Sequence, residues 1–276
     1  MKYEKYDGGY QVVDLSHMPI TEIGAKAFLS CKTVEKIVLP ASLEQLGDWA
    51  FSHAKNLREI VFPLKDIHLG KQVFLGCDSL EKISFSDGKE NRIEEEICYF
   101  MASYLRYFDN PRLLAFENLQ TEQQKWLENY DNALLECLEK PLDADFKPVF
   151  IGWFDVEDID SQLERHVKTT ENRRLVLVLQ RLEYETFLTD KMRQELQNYL
   201  QKKEAQMINL FLDNMQKYGG NMKYYTLWYR SKGLTGEVAA KLLEANLLSD
   251  AEIRAYLLKI QLETADTTDF FDNFMI

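Results

Sequence analysis

The chain has 276 residues, of which 46% are hydrophobic and 28% charged, so its composition is that of a folded globular protein and not of a disordered one. The formal net charge is −12, and it is unevenly spread: residues 1–88 hold 10 basic and 12 acidic side chains, whereas residues 89–276 hold 23 and 33. An acidic chain without a run of Lys and Arg is a poor ligand for nucleic acid or for an anionic membrane surface, and we predict neither partner.

The ends and the cysteines indicate the compartment. No apolar stretch of signal-peptide length opens the chain, and no segment approaches the roughly 18–20 apolar residues of a transmembrane helix. Four cysteines, at positions 31, 77, 98 and 137, lack CxxC spacing and are too few for a disulfide scaffold. We therefore expect a cytoplasmic protein with free thiols.

A repeat of 23 residues organises the N-terminal part. Glycine recurs at positions 24, 47 and 70, and phenylalanine recurs at positions 28, 51 and 74. The same step relates further apolar positions: Ile23, Leu46 and Leu69; Val34, Leu57 and Leu80; Ile37, Ile60 and Ile83; Leu39, Phe62 and Phe85. The last positions of each unit alternate with a period of two, which predicts one half-buried strand per unit.

Each unit is too small to bury its own apolar side, so we expect Phe28, Phe51 and Phe74 to stack in one continuous spine. The glycines are expected at a sharp turn, since glycine accepts a positive φ at little cost. Cys31 and Cys77 occupy one position two coils apart, about 10 Å, which is too far for a disulfide. We expect both to be small core residues.

The unit Ile/Leu-Gly-x-x-small-Phe-x-x-small-x-x-Leu-x-x-Ile-x-Phe/Leu-Pro resembles the leucine-rich repeats of the BspA-like kind. The resemblance covers Ile20 to Phe85, and Val12 to Leu15 would form a degenerate capping strand. It implies a short leucine-rich-repeat solenoid of three 23-residue coils, with a curved surface used for protein recognition.

Helical patterns take over after residue 88, so we predict a leucine-rich repeat domain over 1–88 and an all-helical domain over 89–276. Helices are predicted over Ile93 to Phe108 and Thr121 to Lys140, and again from Asp155 onward. Their short links favour an all-α helical-hairpin array, similar to ankyrin or HEAT repeats, and an α+β fold class overall. Residues 141–156 receive no assignment beyond a loop packed on the core. Leucine followed by a hydroxyl N-cap precedes three of the helices, at Thr189, Thr235 and Ser249.

No pattern of catalytic or metal-binding residues is present in the sequence. The four histidines, His17, His53, His68 and His166, lack the spacing that zinc prefers. An acidic group lacks the glycine and the closing glutamate of a calcium loop, and the first turn of a helix explains it better: Asp155, Glu157, Asp158 and Asp160. Motifs for phosphate binding and for nucleophilic catalysis are also missing. We predict no catalytic residue, no metal and no cofactor, and a chain that is not an enzyme.

An aromatic run, Tyr224, Tyr225, Trp228 and Tyr229, lies on one predicted helix. Such rings are common at binding hot spots, but their spacing equally suits a packed seam between helices, which we favour. The tail from Asp269 to Ile276 mixes acidic and apolar residues. It either docks on the last helix or is captured by a partner.

The sequence therefore predicts a non-catalytic protein–protein interaction or scaffolding module with an unidentified protein partner. The binding residues are predicted on the outward side of the repeat strands: Lys36, Val38, Glu59, Val61, Lys82 and Ser84. The alternative is a small-molecule-binding protein or an enzyme, with a pocket at the repeat/helix junction around Phe146 to Phe154. A third hypothesis is that the repeats only cap and solubilise the helical part.

Overall fold

Short strands occupy the first part of the chain and helices the rest. The computed structural model describes residues 1–86, 93–107, 119, 121–148, 159–214, 218–245 and 250–272, with side chains described as far as residue 263. Within these residues, eight strands precede eight helices, which confirms the predicted α+β class. The chain divides into two units, Met1–Leu135 and Glu136–Ile276.

The strands form two parallel four-stranded sheets, which we name sheet A and sheet B. Sheet A consists of β1 (Lys2–Tyr3), β3 (Glu22–Ile23), β5 (Gln45–Leu46) and β7 (His68–Leu69). Sheet B consists of β2 (Val12–Asp14), β4 (Lys36–Val38), β6 (Glu59–Phe62) and β8 (Lys82–Phe85). The chain visits the two sheets alternately, so each pair of consecutive strands is one turn of a β-solenoid.

The 23-residue step appears directly in the strand register. Ile37 of β4 is paired with Ile60 of β6, and Ile60 with Ile83 of β8. The three predicted coils are therefore confirmed, and so is the capping strand, since β2 is paired with β4. The sequence did not reveal β1, whose pairing with β3 makes residues 1–15 a fourth coil.

The aromatic spine is confirmed. The ring centroids of Phe28 and Phe51 lie 5.1 Å apart, and those of Phe51 and Phe74 lie 5.5 Å apart. The N-terminal coil extends the stack with two tyrosines, because the rings of Tyr6 and Tyr3 lie 5.0 Å and 5.6 Å from that of Phe28. Stacked rings at this spacing add to the stability that their burial provides.

The explanation of the repeated glycines by positive φ is wrong. Gly76 is the glycine with a positive φ, at 70°, whereas Gly24, Gly47 and Gly70 are required by close packing of successive coils. A Cβ added at Gly47 would lie 2.5 Å from the backbone nitrogen of Ala25. The left-handed positions recur elsewhere in the coil, again in steps of 23: Lys26, Trp49 and Gln72, then Ser30, His53 and Gly76.

A helix covers the last coil. Helix α1 (Glu95–Tyr107) packs against β8 and buries Ile97, Phe100 and Tyr104, among others. Helix α2 (Gln123–Glu139) follows, and its Tyr130 ring lies 5.2 Å from the Phe100 ring. Both predicted helices are thus present, and α1 lies in the first of the two units. The boundary at residues 88/89 stays a prediction.

The second unit is built around α3 (Ile159–Glu183), which contacts α4 (Asp190–Gln201), α5 (Glu204–Asp213) and α6 (Met222–Arg230). Helix α7 (Gly236–Glu244) packs on α5 and on α8 (Ala251–Asp272). Every residue of α3 from 174 to 179 is buried, which is typical of a helix that is covered on all sides. The likeness to ankyrin or HEAT repeats stays a prediction.

The predicted N-caps hold where the structure describes them. The hydroxyl of Thr189 accepts a hydrogen bond from the backbone of Met192 at 3.2 Å, and that of Thr235 accepts one from Val238 at 3.3 Å. Ser249 lies outside the described residues. At the start of α8 the carboxylate of Asp250 accepts hydrogen bonds from the backbone of residues 252 and 253, at 2.8 Å and 3.1 Å.

Two buried arginines of α3 bind backbone carbonyl groups. Arg181 is fully buried and donates to the carbonyl oxygens of Tyr184 at 2.6 Å and Thr186 at 3.2 Å. Arg174 donates to those of Leu138 and Pro141, both at 3.4 Å. Because carbonyls near a helix end lack helical partners, Arg181 stabilises the turn between α3 and α4.

The four cysteines are free thiols with different exposure. Cys77 is buried and its thiol donates to the carbonyl oxygen of Phe51 at 3.0 Å, as expected of a core residue. Cys31 is only half-buried, so the expectation of a core position is wrong for it, because its coil lies near the open end of the stack. Burial raises the pKa of Cys77 to about 12 and that of Cys98 to about 11.

These differences predict selective alkylation. At pH 8 only about one Cys77 thiol in ten thousand is ionised, and the thiolate is the reactive form. Treatment of the native protein with iodoacetamide should therefore modify Cys31 first and leave Cys77 and Cys98 unmodified, as measured by peptide mass spectrometry. All four should react in denaturant. Equal rates for Cys31 and Cys77 in the native protein would contradict the burial of Cys77.

Candidate functional site

The predicted binding residues lie in two straight rows across sheet B. One row contains Lys36, Glu59 and Lys82, and the other contains Val38, Val61 and Ser84. The N-terminal coil lengthens them by Val12 and Asp14. All six predicted side chains are half-buried, whereas the isoleucines between the rows point into the core. The strand alternation therefore placed these residues on the outward side correctly, although nothing here establishes that they bind a partner.

Glu59 is held from both sides in the middle of this face. Lys36 Nζ lies 2.9 Å from one carboxylate oxygen, and the Ser84 hydroxyl donates to the other at 2.6 Å. Partial burial alone would raise the pKa of Glu59, but the hydrogen bonds from Ser84 and Lys36 and the charges of both lysines outweigh it and lower that pKa. Glu59 is therefore ionised and fixed in position.

Lys82 connects the face to the helix that covers the last coil. Its ammonium group donates to the carboxylate of Glu95, in the first turn of α1, at 3.1 Å. This hydrogen bond is the main cause of the raised pKa of Lys82. The sequence did not predict Glu95 as a neighbour, because the step of 23 residues ends before α1 begins.

A second line of charges lies one residue earlier in each coil. Gln11 donates to Glu35 at 3.4 Å, and Arg58 forms an ion pair with Glu81 at 3.9 Å. The signs alternate from coil to coil in this line and in the first row, so most charges are neutralised within the face. Val38 and Val61 lie side by side within this paired polar surface.

The arrangement suits a surface that a protein partner contacts. Side chains that neighbouring coils already hold lose little further freedom on binding, and this lowers the entropic cost of association. The half-buried valines supply apolar contact, and the ordered charges supply orientation. No group on this face is aligned for proton transfer or nucleophilic attack by the contacts described above.

A further row lies at one corner of the solenoid, which the sequence did not predict. Lys26 Nζ lies 5.4 Å from the ring centroid of Trp49, and the indole nitrogen of Trp49 donates to Gln72 at 2.9 Å. These are three of the left-handed residues, so the backbone conformation itself aims successive side chains at one another. The 23-residue step could have revealed the row.

The aromatic run of the helical unit forms mostly a packed seam, as favoured from the sequence. Tyr224, Tyr225 and Trp228 are buried, and the rings of Phe211 and Tyr225 lie 4.7 Å apart. Tyr229 is the exception. It is 41% exposed, and its hydroxyl donates to Glu263 at 3.3 Å.

The remaining predictions concern ions, pockets and membranes. Of the acidic group weighed as a calcium loop, Asp160 lies in the first turn of α3, and Asp155, Glu157 and Asp158 lie outside the described residues. Most of the segment from Phe146 to Phe154 lies outside them too. Among the residues that the structure describes, no three His, Cys, Asp or Glu side chains could share a metal ion. In the same part of the chain, no helix has the length and apolarity needed to cross a bilayer.

Comparison with known proteins agrees with the solenoid geometry. Residues 13–121 match the model of the BspA type leucine rich repeat region in six copies. Neither the curated proteins nor the solved structures give a significant match to the chain. The match begins within β2 and continues past α1, so it includes the coils that carry both rows of sheet B. Residues 13–121 of this chain are therefore a BspA-type leucine-rich repeat region, followed by a helical C-terminal part.

Proposed function

We propose that the chain is a non-catalytic protein-recognition or scaffolding module that binds a protein partner through the outward side of sheet B. Leucine-rich repeats commonly mediate protein–protein interaction and are typically not enzymes. The observation that carries the proposal is the pair of ordered rows, in which Glu59 is fixed by Lys36 and Ser84.

A cytoplasmic location forms part of the proposal. Four free cysteines in the described part of the chain suit a reducing compartment. A buried thiol such as that of Cys77 persists without oxidation there because it is neither ionised nor accessible.

The binding face can be tested by removing its charges together. In the triple variant Lys36→Ala, Glu59→Ala and Lys82→Ala no charge of the row stays behind unpaired, so each lost ion pair should cost less than about 1 kcal/mol of stability. Wild type and variant are immobilised and exposed to extract from the native organism. Quantitative mass spectrometry should show at least a tenfold loss of the specific partner, equivalent to about 1.4 kcal/mol of binding free energy.

A matched control lies on the other sheet. Lys2, Gln45 and His68 are outward residues of one sheet A row, and their replacement by alanine removes a similar amount of side chain. This control should retain the partner. If the sheet B variant keeps the partner at full yield, or if both variants lose it equally, then sheet B is not the binding face.

A further inference from the structure

Helix α8 carries a second apolar stripe on the side away from its core contacts. Ile253, Leu257 and Ile260 are buried and form the inner side. The other stripe is exposed, and Leu258 and Leu262 are 48% and 64% accessible. We name this the outer stripe, and it consists of Ala251, Ala255, Leu258 and Leu262.

The spacing of the outer stripe is that of one helix face. Its residues follow one another by four, three and four positions, and at about 100° per residue they project in one direction, opposite to the buried isoleucines and leucine. Surface helices usually carry polar residues on that side, and an apolar stripe there indicates a contact with another molecule.

The stripe is complementary in size to a reversed copy of itself. Ala251 and Leu262 are symmetric about the midpoint between residues 256 and 257, and so are Ala255 and Leu258. When two α8 helices pack antiparallel on this midpoint, each alanine faces a leucine of the second copy. Side chains of unequal size then interdigitate, as close packing of two helices requires.

Charge complementarity supports the same register. Glu252 and Lys259 are exposed and lie seven residues apart on one flank of the outer stripe. The twofold axis of an antiparallel pair brings like flanks together in reverse order, so Lys259 of one copy lies within about 3 Å, along the helix axis, of Glu252 of the other. The symmetry forms this ion pair twice.

We propose that a second copy of this chain docks on the outer stripe, with α8 antiparallel to α8. The surface is independent of sheet B, so dimerisation would present two solenoids to partners. One helix pair buries less than the roughly 1,200–2,000 Å² of a standard interface, and we expect a weak dimer with a dissociation constant of about 10 to 100 µM.

Sedimentation velocity of the full chain over about 1 to 300 µM measures this equilibrium. The decisive variant is Ala255→Leu. It adds apolar surface to an exposed helix position with little effect on the fold, yet it fills the space that Leu258 of the second copy needs. We expect the dissociation constant to rise at least about tenfold. A generally sticky stripe would instead associate more strongly, which would overturn the size-matched register.

Two further variants complete the test. Leu258→Glu should abolish the dimer, while Leu29→Glu, at a residue of the solenoid that is 43% exposed, should leave it intact. Lys259→Glu and Glu252→Lys should each weaken the dimer by about three- to fivefold, and the double variant should restore it. Circular dichroism checks that each variant is folded. A monomer at every concentration, or a dimer that all these variants leave unchanged, would overturn the proposal and leave the outer stripe to a different molecule.

Discussion

Replacement of Gly47 by alanine should lower the free energy of unfolding of the solenoid by about 2 to 4 kcal/mol. The new Cβ would lie 2.5 Å from Ala25 N and 2.8 Å from Gly24 C, and both are backbone atoms of the preceding coil. Backbone atoms cannot rotate away as a side chain end can. The two coils would have to separate, which would loosen the contact between Phe28 and Phe51 inside them.

Urea denaturation followed by far-ultraviolet circular dichroism measures this loss. Gly9→Ala is the matched control, because a Cβ at Gly9 would have no heavy atom within 4 Å. The control should unfold at the wild-type urea concentration or slightly above it, since alanine restricts the unfolded chain. Equal midpoints for the Gly47 and Gly9 variants would show that the coils are not in close contact at Gly47.

Replacement of Arg181 by methionine should destabilise the helical unit by about 3 to 5 kcal/mol. Methionine fills a similar volume but donates no hydrogen bond, so the carbonyl groups of Tyr184 and Thr186 lose a charged donor while they stay partly shielded from water. Arg181→Lys should recover part of the loss only, because one ammonium group cannot reproduce the two-pronged geometry of the guanidinium.

Hydrogen exchange localises the effect. We expect the backbone amides between α3 and α4 to lose protection in Arg181→Met, and the urea midpoint of the helical unit to fall. Arg230→Met, at an exposed position of α6, is the control and should change the stability by less than about 0.5 kcal/mol. If the buried and the exposed variants are equally stable, Arg181 does not hold the turn.

The solenoid was largely predictable because each coil repeats the same local pattern at a constant step. Alternating apolar residues placed Ile37, Ile60 and Ile83 inside and their neighbours outside, and the strand register agrees. The first coil escaped because β1 precedes β3 by 20 residues and the spine tyrosine precedes Phe28 by 22, so no single step relates them. The glycines were located correctly, but a sequence does not show which atoms lie beside them.

The surface of sheet B was predictable in position and not in its interactions. Outward strand positions follow from the alternation alone, whereas the hydrogen bond between Lys82 and Glu95 depends on where α1 packs. Arg181 could not be singled out either. It follows the helical pattern of a surface residue, and its burial results from the packing of neighbouring helices on α3.

The constant register from β4 through β8 has an evolutionary consequence. Every coil contacts only the coils before and after it, through the same positions each time. Duplication or loss of a block of 23 residues inside the stack would thus preserve every strand pairing and the aromatic spine. The recognition surface can lengthen or shorten by whole coils within this framework, with one added or lost copy of the Lys36 and Val38 positions each time.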